Sequence, residues 1–190
     1  MLISPLVAIE KGWVSLVDGS EIPEYCIQPN AIDFTIDRVF GVDQDSAVSF
    51  MYDEIVDDEV TTQKKFNAFY ELTSRVKSLK HKDVDAFTLD ARTSYDFLSN
   101  FQVDLPEGVA ALLVVRSTGN RQMLFITSGL YDSGYKGLIG ACLHNNNQLP
   151  VYLGRGVRIG QIMFVASDSA SLYAGGYNHT GDEKPKHLVS

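Results

Sequence analysis

Three segments in the second half of the chain carry side chains that could hold a phosphorylated ligand. The run Arg116 to Arg121 (RSTGNR) follows the apolar stretch VAALLVV, GLYDSGYKG contains a single carboxylate at Asp132, and GVRIGQIMFV carries Arg158 and Gln161. Arginine binds phosphate oxygens through a fork of N–H groups, and the hydroxyls and amides of a glycine-containing turn add short donors. Phosphoryl chemistry depends mostly on positioning and charge stabilisation, so few covalent groups are needed.

Other chemistries are excluded by motifs that the sequence lacks. It has no G-x-x-x-x-G-K-[ST] loop, no H-E-x-x-H, and neither the H-x-E nor the P-C-x-x-C of zinc nucleobase deaminases. The four histidines show no metal-ligand spacing, and GRGVRIG (154–160) has the spacing of a tight turn rather than of a dinucleotide fingerprint. Catalysis must therefore come from carboxylates, arginines, hydroxyls and backbone amides, with no metal site built by the protein.

The charge distribution favours a small anionic ligand. The net charge is −8, yet residues 105–165 hold five Lys/Arg against two Asp/Glu, whereas residues 1–104 hold nine against 19. The net negative charge argues against nucleic-acid or membrane binding, and a locally basic segment in an acidic protein suits a small polyanionic ligand better than a long polyanion. No apolar stretch is long enough to span a membrane, and the first residues lack a signal-peptide pattern. With two cysteines far apart and no C-x-x-C pair, we expect two buried thiols in a cytoplasmic protein.

The elements that must position these segments are mostly strands. Short apolar runs separated by turn residues predict an all-β sandwich, jelly roll or barrel, with strands at AIDFTIDRV, VDAFTL, VAALLVV, QMLFIT, LIGACL, LPVYL and RIGQIMFV. A short helix is expected over residues 3–12, with Ser4 as its cap and Pro5 in its first turn. The spacing of apolar residues in TTQKKFNAFYELTSRVKSLK (61–80) predicts a second helix, and the last 20 residues are typical of a mobile tail.

The order of the three segments resembles that of the trimeric dUTPases and related dCTP deaminases. R-S-x-x-x-R, G-x-x-D-x-x-Y-x-G and G-x-R-I-x-Q-x-x-F are similar to the family's second, third and fourth motifs, and QPNAIDFTID with Asp33 resembles the deaminase form of the first. GGYNHTG (175–181) resembles the tail motif that closes over the nucleotide. The resemblance implies one domain over 1–190: a homotrimeric, distorted β-barrel or jelly roll with an N-terminal helix, a helical insertion around 53–85 and a mobile tail at 172–190.

The resemblance also implies a role for each matched residue. Asp132 would orient and deprotonate a water for attack on the α-phosphorus of a deoxypyrimidine nucleoside triphosphate, and Mg2+ would arrive on that triphosphate. The residues implied for phosphate binding are Arg116, Ser117, Thr118, Arg121, Gln161, His179 and Thr180. Those implied for the base and sugar are Thr127, Ser128, Gly129, Leu130, Tyr131, Tyr135 and Tyr177, with the Tyr135 ring under the deoxyribose and Tyr177 stacked on the base.

Departures from the family pattern separate the possible activities. The glutamate that deaminases use at the base is replaced by Cys142, and a thiol is a poor substitute for a carboxylate in proton transfer. The hairpin resembles the dUTPase version, although Ile126 stands where dUTPases commonly have an asparagine and Gly134 where an aspartate is frequent. Hydrolysis of dUTP is therefore the first interpretation. The alternatives are a dCTP deaminase, a bifunctional enzyme, and a weakly catalytic nucleotide-binding relative that acts through a protein partner.

Overall fold

The computed structural model describes residues 1–42, 54–56, 59–61, 69–77, 83–169, 171–175 and 178. Its helices are α1 (Pro5–Glu10), α2 (Ser117–Arg121) and a 3-10 turn (Glu24–Cys26). The strands are β1 (Leu2–Ile3), β2 (Val14–Leu16), β3 (Ile32–Val42), β4 (Glu54–Val56), β5 (Glu59–Thr61), β6 (Phe69–Glu71), β7 (Arg75–Lys77), β8 (Asp83–Leu89), β9 (Thr93–Asp104), β10 (Val109–Val115), β11 (Leu124–Thr127), β12 (Lys136–Asn145), β13 (Val151–Gly154) and β14 (Arg158–Ala166). No helix in these ranges is long and apolar enough to cross a membrane.

Nine strands form one antiparallel sheet in the order β1-β14-β3-β9-β12-β11, with β10 also paired to β14, β2 to β9 and β6 to β3. Strand β3 links the two halves of this sheet, because its first residues pair with β14 and its later residues pair with β9. Register shifts occur at β3, β12 and β14, and bulges of this kind bend a strand and increase its twist. The sheet therefore curls around one core, and the predicted all-β fold is confirmed.

Aromatic side chains fill the inside of the curled sheet. Phe34 and Phe97 are fully buried, and their rings stack with centroids 5.9 Å apart. A Cβ on Gly160 would lie 2.2 Å from the Phe34 ring, so this position in β14 has room for glycine only. The close packing of β14 against β3 holds the start of the fourth motif against the first.

The N-terminal helix is confirmed, although Ser4 does not cap it. Helix α1 begins at Pro5, whose fixed φ suits the first helical position, and Gly12 follows its end with φ +71°. The Ser4 side chain makes no capping hydrogen bond. Ala8 is fully buried, so packing on the sheet holds the helix in place.

The helix predicted over residues 61–80 is wrong wherever this stretch is described. Strands β6 and β7 occupy 69–71 and 75–77, and β6 pairs with the end of β3. Arg38 of β3 and Glu71 of β6 form a two-bond ion pair of 2.7 and 2.6 Å across this junction. Pairing with β3 outweighs the helical spacing of the apolar residues. The remaining parts of the predicted helix lie outside the described residues.

Candidate active site

A buried carboxylate joins three of the sequence motifs. Asp33 of β3 is completely buried, and its Oδ2 lies 3.0 Å from Nε of Arg116 and 3.1 Å from a terminal nitrogen of Arg158. Its Oδ1 accepts a hydrogen bond of 2.9 Å from the Gln161 side chain. The register of β3 with β14 places Asp33 directly opposite Gln161, so pairing of the two strands brings these groups together. We call Asp33, Arg116, Arg158 and Gln161 the Asp33 cluster.

The two arginines of the Asp33 cluster keep part of their surface in solvent. The Arg116 side chain is 26% exposed and that of Arg158 is 30% exposed, whereas Asp33 has no exposure. Two cations face one carboxylate, so one positive charge remains without a partner inside the cluster. Arg158 is held from its other side by the carbonyl of Tyr25 and lies over the Tyr25 ring at 5.2 Å. The cluster therefore presents oriented N–H donors and residual positive charge, which suits an anion.

Helix α2 carries the remaining predicted phosphate ligands of the second motif. Ser117, Thr118 and Arg121 are exposed, and among the described residues none forms an ion pair with Arg121. Gly119 is buried, and a Cβ there would lie 3.2 Å from the side chains of Val115 and Ile159. Its lack of a side chain lets α2 pack closely on β14, next to the Asp33 cluster.

Asp132 lies on the hairpin between β11 and β12, which we define as residues 128–135. Tyr131 exchanges two backbone hydrogen bonds with Ala111 of β10, and the Ser133 hydroxyl donates to the Val109 carbonyl at 2.9 Å. Between these two anchors the Asp132 side chain is exposed, and no described residue donates a hydrogen bond to its carboxylate. The carboxylate is thus held by its backbone and left open to solvent.

Two tyrosines fix the hairpin to the core. The Tyr131 hydroxyl donates to the Gly140 carbonyl at 2.6 Å and accepts from the Gly140 amide at 3.0 Å. The Tyr135 hydroxyl donates to the Leu138 carbonyl at 3.1 Å, and the two rings meet edge to face at 5.1 Å. Burial raises the pKa of Tyr131 far above its usual value and raises that of Tyr135 to about 12. Both phenols therefore stay neutral near pH 7 and act as hydrogen-bond donors.

The predicted base-binding stretch, residues 127–131, begins beside a pocket that is lined mostly by polar side chains. Ser128, Gly129 and Leu130 are exposed. The Thr127 hydroxyl is 2.7 Å from Nε2 of His144, whose Nδ1 is 2.8 Å from the Ser94 hydroxyl. These side chains border a pocket of about 470 Å³ on the outer face of β9, β11 and β12. The Thr127 hydroxyl already has a partner, and both main-chain groups of Tyr131 are bonded to Ala111, so the free polar groups among the described contacts are the Ser128 hydroxyl and the main chain of residues 128–130.

Cys142 lies in the row of side chains next to His144 on β12, and it is exposed, whereas Cys26 is buried as expected for both cysteines. Cys142 is directly opposite Thr127 of β11 on one side and Asp96 of β9 on the other. Burial raises the pKa of the Cys142 thiol, and the nearby Asp96 carboxylate raises it further. The neutral thiol is a weak acid–base group at pH 7.

The structure brings some of the predicted residues together and separates others. Arg116 and Gln161 meet at Asp33, with Ser117, Thr118 and Arg121 on the adjoining helix. Asp132 lies next to Tyr131, which pairs with Ala111 of β10. Arg116 comes five residues after Ala111, just past the end of the same strand. Five residues of extended strand span about 16 Å, so the two parts lie apart within one chain. Tyr177, His179 and Thr180 lie outside the described residues.

Comparison with known protein families identifies the family to which these motifs belong. The sequence profile of the family described as dCTP deaminase-like matches residues 8–167. The chain belongs to this family. The family resemblance inferred from the motifs is thereby confirmed.

Relatives of this dCTP deaminase-like chain carry two kinds of name. A probable deoxyuridine 5'-triphosphate nucleotidohydrolase of Methanothermobacter thermautotrophicus is 24% identical over 154 residues, which are 81% of this chain and 89% of that protein. A dUMP-forming dCTP deaminase of Leifsonia xyli subsp. xyli is 30% identical over 148 residues, 76% of this chain and 66% of the relative. In the crystal structure of the 2'-deoxycytidine 5'-triphosphate deaminase from Agrobacterium tumefaciens, the match covers 87% of this chain at 13% identity with a TM-score of 0.59, which supports the fold. The chain spans about half of that deaminase, 48% of its length.

Sequence reasoning matched Asp33 to the first motif of the dCTP deaminase-like family without giving it a role. The structure places this carboxylate at the centre of the Asp33 cluster, and it adds Arg158 beside Arg116. The sequence did contain one signal for this role. Residues 105–165 hold more basic than acidic residues, so a buried arginine there needs a carboxylate from elsewhere in the chain as its counter-charge.

Proposed function

We propose that this protein hydrolyses dUTP to dUMP and pyrophosphate. The observation that carries the proposal is the exposed Asp132 carboxylate, which is fixed to β10 through its neighbours Tyr131 and Ser133 and stands three residues before the buried Tyr135. A carboxylate of this kind can orient and deprotonate a water. The dUTPase names of archaeal relatives support the same choice of substrate.

The reaction can be written with these groups. A water bound to Asp132 attacks the α-phosphorus and transfers its proton to the carboxylate. The bond between the α-phosphorus and the bridging oxygen to the β-phosphate breaks, and pyrophosphate leaves with that electron pair. Arg116 and Arg121, with the hydroxyls of Ser117 and Thr118, hold the triphosphate and stabilise its charge. Asp33 holds Arg116 beside Arg158 and Gln161, and His179 and Thr180 of the tail contribute from the phosphate side.

The base and sugar are read by the hairpin. Main-chain groups of residues 127–130 bind the pyrimidine edge, since those of Tyr131 are bonded to Ala111, and Tyr177 of the tail stacks on the base. The Tyr135 ring packs under the deoxyribose, where a 2′-hydroxyl would find no space. Tyr135 is 9% exposed and hydrogen-bonded through its hydroxyl, so its ring is a rigid wall suited to this steric role.

The described residues do not fit a magnesium site of their own, since no group of three or more His, Cys, Asp or Glu side chains lies close enough to hold a metal ion. We propose that Mg2+ is bound by the triphosphate oxygens and enters with the substrate. The free thiols Cys26 and Cys142 are in keeping with a cytoplasmic location, where the nucleotide pool is found.

The site is completed by a second copy of the chain in a homotrimer. Within one chain Arg116 lies five residues, about 16 Å of extended strand, beyond Ala111, which pairs with Tyr131 beside Asp132, and we infer that a neighbouring subunit supplies the Arg116 of each site. On the outer face of β10, Leu112 is 38% and Val114 is 37% exposed, and they stand opposite Met163 and Gln161 of β14. An apolar face next to the Asp33 cluster is suited to contact with a neighbouring subunit.

The position of an oxygen label tests the proposed reaction. When dUTP is turned over in water enriched in oxygen-18, we expect one labelled oxygen in dUMP and unlabelled pyrophosphate, because the attack is on the α-phosphorus. Mass spectrometry of the separated products makes this measurement. Label in pyrophosphate would mean attack at the β-phosphorus, and release of orthophosphate alone would mean a different hydrolase.

Deamination of dCTP is the second candidate, and one contact favours it. Asp96 lies directly opposite Cys142, so a carboxylate stands one strand away from the place where deaminases carry their glutamate. Carboxylates accept hydrogen bonds from the cytosine amino group. Ammonia release from dCTP that disappears in Asp96→Asn would establish this activity, whereas its absence in the unmodified protein leaves hydrolysis.

A further inference from the structure

The segment after β14 returns to the hairpin of its own chain. We define residues 171–175 as the strap. The Tyr173 amide donates a 2.7 Å hydrogen bond to the Ser133 carbonyl, and the Tyr173 ring meets the Tyr135 ring edge to face at 5.5 Å. Tyr173 is partly buried and packs against the main core. The strap is thus attached to the hairpin by main chain and side chain, immediately beside Asp132.

The strap packs closely against Gly134 of the hairpin. The φ of +84° at Gly134 favours glycine, and a Cβ at this position would lie 3.0 Å from Cβ of Leu172 and 3.2 Å from the Tyr173 amide nitrogen. Any side chain at residue 134 would push the strap away. The strap occupies the space that a side chain at residue 134 would need.

Of the two aromatic rings that meet Tyr135 in the described part of the chain, one belongs to the strap. On one side the Tyr135 ring meets Tyr131, which is fixed by two hydrogen bonds to Gly140 in the core. On the other side it meets Tyr173, whose position depends on the strap. The hydroxyl bond to Leu138 holds only the end of the side chain. Without Tyr173 the ring can tilt about that bond toward the space that the strap leaves.

We propose that Tyr173 is a positioning residue that sets sugar selectivity, by holding the Tyr135 ring and the Asp132 hairpin in place from within the same subunit. The proposal rests on the proposed function, in which Tyr135 excludes the 2′-hydroxyl. A tilted ring admits the ribose, and a looser hairpin places Asp132 less accurately. Loss of Tyr173 therefore raises the relative rate for UTP and lowers kcat for dUTP.

The test compares Tyr173→Ala, Tyr173→Phe and Tyr152→Ala, the last being an exposed tyrosine on β13 and a matched control. In Tyr173→Ala we expect the ratio of kcat/KM for dUTP to that for UTP to fall roughly tenfold. Tyr173→Phe keeps the ring and should keep the ratio, as should Tyr152→Ala.

Amide hydrogen exchange without nucleotide separates this proposal from the proposed function. In Tyr173→Ala, exchange at residues 131–136 should rise roughly tenfold while exchange in β9 stays unchanged. Unchanged exchange in the hairpin, or an unchanged dUTP-to-UTP ratio in an active protein, overturns the role of Tyr173. If the unmodified protein does not hydrolyse dUTP, the proposed function fails, and the exchange experiment still decides whether the strap holds the hairpin. Should Tyr173→Ala not fold, Tyr173→Leu carries both measurements.

Discussion

Asp132→Asn lowers kcat for dUTP by roughly a thousandfold, because removal of a general base costs about two to four orders of magnitude. The amide has nearly the shape of the carboxylate and cannot take the proton from water. No described residue donates a hydrogen bond to the Asp132 side chain, so the substitution removes no structural contact in that part of the chain. We therefore expect a nucleotide Kd within a few-fold of the original, and a free energy of unfolding within about 0.5 kcal/mol.

Steady-state kinetics and nucleotide titration measure the effect, with Asp90→Asn as the matched control. Asp90 is an exposed aspartate in the turn between β8 and β9, and its substitution should leave kcat unchanged. Asp132→Asn mixed with Arg116→Ala before assembly should regain about a quarter of the activity if each site takes one part from each of two subunits. Full activity in Asp132→Asn alone would contradict the assignment of the base.

Asp33→Asn produces the largest loss of stability that we expect, about 3 kcal/mol, since removing one partner of a buried ion pair leaves its charge uncompensated. Arg116 and Arg158 both contact the same oxygen of Asp33, so they repel each other once the carboxylate is neutral. Their partial exposure places the loss at the lower end of the usual range for buried pairs. Denaturant unfolding followed by circular dichroism measures it.

The same variant should bind nucleotide poorly. The Asp33 carboxylate contacts both Arg116 and Gln161 and thereby fixes the positions of these side chains. Without it, the N–H groups of the two side chains are no longer held in one orientation. We expect KM for dUTP to rise roughly tenfold or more, consistent with loss of one charge-assisted hydrogen bond. The control is Asp37→Asn on the same strand, which removes a half-exposed partner of Arg155 and should cost less than about 1 kcal/mol. Equal losses in the two variants would contradict a special role for the Asp33 cluster.

The strands that the sequence predicted are those with a clear local signal. Runs such as VAALLVV and RIGQIMFV became β10 and β14, and the alternation around Asp33 became β3. Strand β9 was missed, although it pairs with β3, β12 and β2. Its outward Leu98 is buried in a small cluster of its own, and its inward Ser99 donates a hydrogen bond to the Thr35 carbonyl. A strand with one buried face has apolar side chains on its inner face and polar side chains on its outer face. At these two positions the order is reversed, so the alternation is interrupted in the middle of β9.

The candidate site divides in a similar way. The motifs located Asp132, Arg116 and Gln161 because each lies in a short, recognisable segment. The Asp33 cluster depends on the register between β3 and β14, which are separated by more than 100 residues, and local patterns do not encode such a register. The contact of the strap with Gly134 is likewise long-range. The helix predicted near residue 70 failed for the same reason, since its partner β3 lies far away in sequence.

Product analysis with four nucleotides decides whether this protein is a dUTP hydrolase. Purified protein is incubated with magnesium and dUTP, dCTP, dTTP or UTP separately, and the products are resolved by ion-exchange chromatography with a parallel assay for ammonia. We predict that dUTP gives dUMP and pyrophosphate, that UTP survives, and that dCTP releases no ammonia. Conversion of dCTP to dUTP or dUMP would contradict the account and move the catalytic role toward Asp96 and the row beside Cys142.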